Sequence, residues 1–287
     1  MNIPKKLIEA LQSGNLVLFV GSGLSLRVFE QHGKKYPTWA ELLYLLNNWC
    51  EENDAIDNSE HKMIEDIIKR NNYSVAAQLL KKRINNTDFG SFLYSVFNIG
   101  NQYDIIHKTI LSLPFAYYIT TNYDSVIETA YSDLFAKKIP ALTSSEIGLA
   151  NKFMNDNELF LFKIHGTFER GNTVVLSDYD YHTLYNQDSF VKTLNKIFLS
   201  KTVLFVGFGY NDVAIRNILT KLTFSFNGNN GIHYLLAENN AYNNMEKEYY
   251  KDTDRVYIIE YDNSDGTHSG INQFFEQLLS DVKKNDK

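Results

Sequence analysis

The sequence predicts an α/β fold, a Rossmann-like doubly wound parallel sheet with a helical insertion after the first strand. Three observations predict it. Short runs rich in Val, Ile, Phe and Tyr recur along 287 residues, apolar throughout as in strands buried on both faces. Amphipathic helical patterns follow most of them, the alternation that builds a parallel sheet. One long interval, about 38–113, lacks strand signals and keeps apolar residues at three- and four-residue spacing.

In chain order, the strand expectations are 16–20, 115–120, 159–164, 203–207, 233–237 and 256–260. Helices are expected at 124–134, 189–199, 211–224 and 271–283. Within the insertion, Thr38 with Glu41 three positions later forms a capping-box pattern, in which each residue serves the other's backbone N–H. Segments 63–69, 74–83 and 105–113 continue the helical spacing. There is no internal repeat and no low-complexity linker, so residues 1–287 are expected to form one domain, whose insertion covers a nucleotide crevice.

Composition narrows the classes of function. The net charge is -6, and no basic stripe is visible, which argues against direct nucleic-acid binding. The densest cationic run, Lys81-Lys82-Arg83, is read as a solvated helix face. Cys50 is the single cysteine, so an internal disulfide and a multi-cysteine zinc site are excluded, and no metal is expected. No apolar run approaches the roughly 20 residues of a membrane span. A cytoplasmic location is the expectation.

Four motifs carry chemistry, each where an apolar run ends. After 16–20 comes Gly21-Ser22-Gly23-Leu24-Ser25, where missing side chains let backbone N–H groups approach a pyrophosphate. Leu26 leaves the dinucleotide fingerprint incomplete, and no acidic residue follows at about 20 positions, which disfavours an ordinary dehydrogenase. Thr120-Thr121-Asn122-Tyr123-Asp124 clusters polar groups at the next strand end. Asp124 suits a helix N-cap, a role that leaves Asn122 and the threonines unexplained. Lys163-Ile164-His165-Gly166 places a proton-exchanging side chain at the same sheet edge; the other six histidines are read as structural. Gly207-Phe208-Gly209-Tyr210-Asn211-Asp212 is a second strand-to-glycine turn opening a helix, with Asp212 as its cap.

GSGLS, TTNYD, KIHG and FVGFGYND, in that order, resemble the NAD site of the sirtuin family. The closest likeness is to a divergent bacterial branch of phage-defence systems, which Pro37-Thr38-Trp39 also resembles. The resemblance spans about residues 15–280. It implies that Gly21, Ser22, Gly23 and Ser25 contact the dinucleotide phosphates, and that Asn122 and Asp124 lie near the nicotinamide-bearing ribose; Thr121 is also expected to bind the cofactor. His165 corresponds to the active-site histidine. Gly207, Phe208 and Gly209 correspond to the loop on the adenosine half, with Phe208-Gly209 replacing the usual Thr-Ser.

The resemblance implies NAD as substrate and cleavage of the nicotinamide–ribose bond, with Asn122 and His165 catalytic. The four zinc cysteines of deacylases are missing, and so is their arginine segment after the glycine loop, Arg27 standing in another context. Hydrolysis is therefore expected over deacylation, giving nicotinamide and ADP-ribose in an NAD-depleting antiphage effector. Control is expected in trans, through a homo-oligomer and/or a partner that is Argonaute-like, an ATPase or a phage protein. The alternatives are an NAD-dependent deacylase or ADP-ribosyltransferase, or a non-catalytic module sensing NAD or ADP-ribose.

Overall fold

The computed structural model describes residues 3–28, 35–100, 102–210 and 212–285. Seven strands form one sheet: β1 (Leu16–Val20), β2 (Tyr118–Thr120), β3 (Ala141–Thr143), β4 (Leu161–Lys163), β5 (Thr202–Val206), β6 (His233–Glu238) and β7 (Val256–Tyr261). Their order is β3-β4-β2-β1-β5-β6-β7, and every pairing is parallel. From β1 the chain adds β2 beside it, places β3 at the far edge and fills the gap between them with β4, then crosses back to build β5, β6 and β7 on the other side. The reversal falls between β1 and β5, where open α/β sheets leave a ligand crevice beyond the carboxyl ends of the strands.

Residues alternate between two buried faces, the reason the strands read as continuous apolar runs. Leu16, Leu18 and Val20 join one core with Ile106, Ile110, Ala130, Phe274 and Leu278. Val17 and Phe19 join the opposite core with Ala150, Phe190, Leu194, Ile215 and Leu219. The helices Ile105–Leu111, Val126–Phe135 and Ser269–Asn285 thus cover the first face. Ile147–Asp156, Asp188–Ser200 and Val213–Ser225 cover the second.

The doubly wound parallel sheet is present, with differences in detail. β3 was absent from the expectation because it has three residues and sits at the sheet edge. β5 stops at Val206 because Gly207 takes φ +61, outside the extended region. Asp124 lies before its helix, which begins at Val126, and its Oδ1 accepts the Val126 N–H at 3.1 Å. Asn211, expected to open the next helix, lies outside the described residues; the helix begins at Val213.

Between β1 and β2 the described elements are all helical: Ser22–Ser25, Trp39–Glu52, Asn58–Lys69, Tyr73–Lys81, Asn86–Phe97 and Ile105–Leu111. Four of them bury Leu43, Leu46, Ile64, Ala76, Phe92 and Leu93 in a third core, which also takes Val126, Phe168 and Leu176 from outside. Ile105–Leu111, also helical and inside the expected interval, packs on the sheet instead. The capping box forms as read: Thr38 Oγ1 accepts from the Glu41 N–H at 3.2 Å, and Glu41 Oε2 accepts from the Thr38 N–H at 2.8 Å.

The Lys81-Lys82-Arg83 run is not a uniformly solvated face. Lys81 reaches Asp180 at 2.7 Å with both side chains largely covered, and its ammonium lies 5.2 Å from the Phe89 ring centroid. Arg83 pairs with Glu60 at 2.7 Å. The Lys81 bridge ties the insertion to the helix Asp178–Tyr185.

Candidate functional site

A cavity of about 850 Å³ opens at the carboxyl edge of the sheet, inside the range of small-molecule sites, roughly 300–1,000 Å³. Its floor is Gly21, Ser22 and Ser25 after β1, Thr121–Asp124 after β2, His165 after β4, and Phe208, Gly209 and Asp212 after β5. The insertion supplies the roof through Tyr36, Trp39, Leu42, Ser74 and Phe97. Residues far apart in sequence thus converge because parallel strands end on one edge.

The two glycine turns mesh with each other. The Gly21 N–H donates to the Val206 carbonyl and the Gly23 N–H to the Gly207 carbonyl, each at 2.9 Å. A Cβ on Gly21 would sit 2.4 Å from the Gly207 oxygen, and one on Gly207 would sit 2.5 Å from the Leu24 nitrogen. Gly23 and Gly207 are not among the cavity-lining residues; their visible work is this close backbone approach. Gly21, Ser22, Ser25, Phe208 and Gly209 do line it.

Asn122 is pinned from two sides. Its Nδ2 donates to the Gly21 carbonyl at 3.0 Å and to Ser25 Oγ at 2.9 Å. A backbone carbonyl only accepts, which fixes which end of the amide is nitrogen. Both amide N–H groups are thereby engaged, and Oδ1 remains as a hydrogen-bond acceptor. The loop is held further by Thr120 Oγ1, which donates to the Val20 carbonyl at 2.9 Å and accepts the Asn122 N–H at 3.0 Å.

His165 is 3% exposed. Burial holds its pKa below the usual histidine range, and the Asp212 carboxylate works against that shift. The imidazole Nε2 lies 3.0 Å from Tyr185 Oη and 3.9 Å from Asp212 Oδ2. Tyr181 packs edge-on at 5.1 Å between ring centroids. Burial pushes the Tyr181 and Tyr185 phenols well above their ordinary values, so both stay neutral. The bend after β4 needs Gly166, which has φ +87 and whose Cβ would meet the Thr173 carbonyl oxygen at 2.2 Å.

Asp212 caps the helix Val213–Ser225, its Oδ1 accepting from the Ala214 and Ile215 N–H groups at 3.0 and 3.1 Å. Its second oxygen is the one that faces His165, a role beyond capping. Asp124, expected as a helix N-cap, stands one residue before the actual N-cap Ser125; its Oδ1 accepts the Val126 N–H, and it lines the cavity. Lys221 is the only Lys or Arg among the described lining residues, against Asp124, Asp178 and Asp212. An anionic ligand would therefore be held chiefly by neutral donors.

Sequence reasoning missed the aromatic wall of Tyr36, Trp39, Tyr181 and Tyr185. Tyr181 and Tyr185 stand four apart on one helix, spacing that puts them on one face, and that was the available signal. Among the histidines read as structural, His233 accepts the Val203 N–H at 3.2 Å and His107 Nδ1 accepts the Asp104 N–H at 3.1 Å. His182 differs, because it lines the cavity. Arg27 is indeed in another context, its guanidinium bonded to the His268 carbonyl and Asn272 Oδ1, both at 2.8 Å.

A parallel sheet whose polar loops and glycine turns meet at its reversal point defines a Rossmann-like class of α/β domain. The sequence model of the SIR2-like domain matches residues 116–259, half of the chain, and the chain belongs to that family. It is 28% identical over 235 residues to NAD(+) hydrolase ThsA of Enterococcus faecium, covering 81% of this chain and 45% of that protein. It is 28% identical over 241 residues to NAD(+) hydrolase ThsA of Bacillus cereus (strain MSX-D12), covering 82% and 45%. It is 29% identical over 224 residues to Defense-associated sirtuin 2 of Bacillus subtilis, covering 75% and 20%. The chain thus spans less than half the length of these relatives.

Proposed function

We propose that this chain hydrolyses NAD to nicotinamide and ADP-ribose, as one catalytic domain of a bacterial antiphage effector acting in the cytoplasm. The observation that carries the reading is the pairing of Asn122 and His165 on one cavity, each immobilised by its own partners. Relatives named NAD(+) hydrolase and defence-associated sirtuin support it.

Nicotinamide leaves as a neutral base from a cationic pyridinium, so positive charge develops on the ribose as the bond breaks. An enzyme accelerates this by fixing the ribose and placing one nucleophile. Asn122 has only an acceptor left to offer, which suits a hydrogen bond from a ribose hydroxyl or from the attacking water. His165, neutral because it is buried, is the base for that proton, an effect typically of about 10²–10⁴-fold. Asp212 stabilises the imidazolium that results, and Tyr185 orients the ring. Gly21, Ser22, Ser25, Thr121, Asp124, Phe208 and Gly209 hold the rest of the dinucleotide, while Gly23 and Gly207 keep the two turns in contact.

Purified protein incubated with NAD should release nicotinamide and ADP-ribose in equal amounts, and Asn122→Ala and His165→Ala should abolish release. Undiminished turnover in both variants would remove the assignment. Because free-running hydrolysis would exhaust the cell's NAD, control comes from self-association or from a partner that is Argonaute-like, an ATPase or a phage protein. Activity should then rise with protein concentration or on adding that partner.

Transfer to an acceptor, by deacylation or ADP-ribosylation, is the second reading. One observation favours it: the cavity continues along the helix Val213–Ser225 past Asn217, Lys221 and Ser225, room that hydrolysis does not need. Mass spectrometry of the ADP-ribose product with acyl-peptides present separates the two.

A further inference from the structure

We infer that Lys163 is a positioning residue, a buried cationic strut that sets the spacing between the loops bearing Asn122 and His165. The inference rests on the hydrolase reading of that site and adds a residue to it.

Lys163 ends β4 and pairs in register with Thr120, the last residue of β2. From these two neighbours the chains diverge, one to Asn122 and the other to His165. Lys163 is 1% exposed and is not among the cavity-lining residues. Its ammonium donates to the backbone carbonyl of Asp124 and to Glu128 Oε1 at 2.8 Å. A lysine so fully buried is rarely retained without a paired charge and satisfied donors. Its carboxylate partner stands on the first turn of the helix Val126–Phe135.

The geometry makes one side chain a cross-brace. At its root it is two residues from His165. At its tip it holds the carbonyl two residues beyond Asn122, in a loop that β-sheet hydrogen bonds no longer support. Asn122 is thus fixed on one flank by Gly21 and Ser25 and on the other, through the Asp124 carbonyl, by Lys163. A neutral apolar residue of equal length would fill the space and leave that carbonyl without its donor. Neutralising Glu128 is a separate matter, since a buried ion pair can be replaced by apolar residues with little cost, whereas removing one partner strands the other charge.

That separation supplies the test. Lys163→Met strands Glu128 and should lower the unfolding midpoint. The double variant Lys163→Met/Glu128→Met removes both charges and should recover the midpoint, but not the brace. With NAD as substrate we expect the double variant to lose kcat by about 30-fold, about 2 kcal/mol of transition-state stabilisation, with KM changed by less than about three-fold. Turnover restored together with stability, or a loss confined to KM, would overturn the positioning role. Hydrogen exchange read by mass spectrometry gives a second readout that needs no turnover. Peptides containing the Asn122, Val126 and Phe168 amides, whose N–H groups bond within these loops, should exchange about ten-fold faster in the double variant than in wild type, while its global stability is restored. Unchanged exchange would overturn the brace even if the wild-type protein proved inert toward NAD, an outcome that would count against the hydrolase reading alone.

Discussion

Replacing Gly21 by alanine tests the meshed glycine turns with a single methyl group. Gly21 has φ -103 and ψ -179, an extended conformation open to alanine, so the backbone itself imposes no penalty. The methyl would lie 2.4 Å from the Gly207 oxygen, 2.7 Å from Phe208 Cα and 2.9 Å from the Gly207 carbonyl carbon. All three are backbone atoms and cannot rotate away. Ordinary contacts begin near 3.5 Å, so the two turns must separate by about 1 Å. Overpacking of this kind costs about 1–3 kcal/mol. The same movement carries off the Gly21 carbonyl that Asn122 grips at 3.0 Å, and a misplacement of about 1 Å at a reacting centre costs on the order of 10²-fold. Urea midpoints and nicotinamide release should therefore both fall. Gly90→Ala is the control: a helical glycine with nothing within 4 Å of the added methyl, it should stabilise by roughly 0.8–1 kcal/mol and leave turnover alone. A Gly21→Ala protein with wild-type midpoint and turnover within about three-fold would refute the steric reasoning.

Three further predictions concern charge and capping. Asp212→Asn keeps a capping side chain but removes the carboxylate that favours imidazolium, so the acidic limb of the kcat/KM profile should move to lower pH; a move upward would contradict the pairing with His165. His233 and His107 are held neutral by burial, at about 3 and about 4. Because the unfolded chain takes up these protons near pH 6.5, their contribution is complete above that pH and lost as pH falls toward the folded values. Each should cost about 2 kcal/mol at pH 5, and equal urea midpoints at pH 7.5 and 5 would exclude this. Thr38→Ala breaks the capping box beneath the roof and should cost about 1 kcal/mol, measurable as a lowered unfolding midpoint.

Much of the architecture was legible because burial on both faces writes itself into apolar runs such as Leu16–Val20. β3 escaped notice because an edge strand of three residues leaves too short a pattern. Of the residues expected around one site, the structure gathers Asn122, His165, Asp124 and Phe208 on a common cavity, since strand ends are visible in sequence and parallel strands share an edge. What stayed hidden depends on contact across the fold. Nothing local marks Lys163 as the holder of the Asp124 carbonyl, or Lys81 as the partner of Asp180, 99 positions away. The same applies to the close approach of Gly23 to Gly207, which no local pattern announces. Asp212 was read as a cap because capping is a local pattern, while its approach to His165 is not.

The split of the cavity into a roof from the insertion and a floor from strand ends bears on how the protein is made. During synthesis Gly21, Ser22 and Ser25 of the floor and the roof residues Tyr36 to Phe97 emerge before Asn122, whereas His165 and Asp212 emerge later still. Neither portion encloses the space alone, and the floor is incomplete until β5 inserts beside β1 at the centre of the sheet. A nascent or truncated chain therefore holds every roof residue and no chamber.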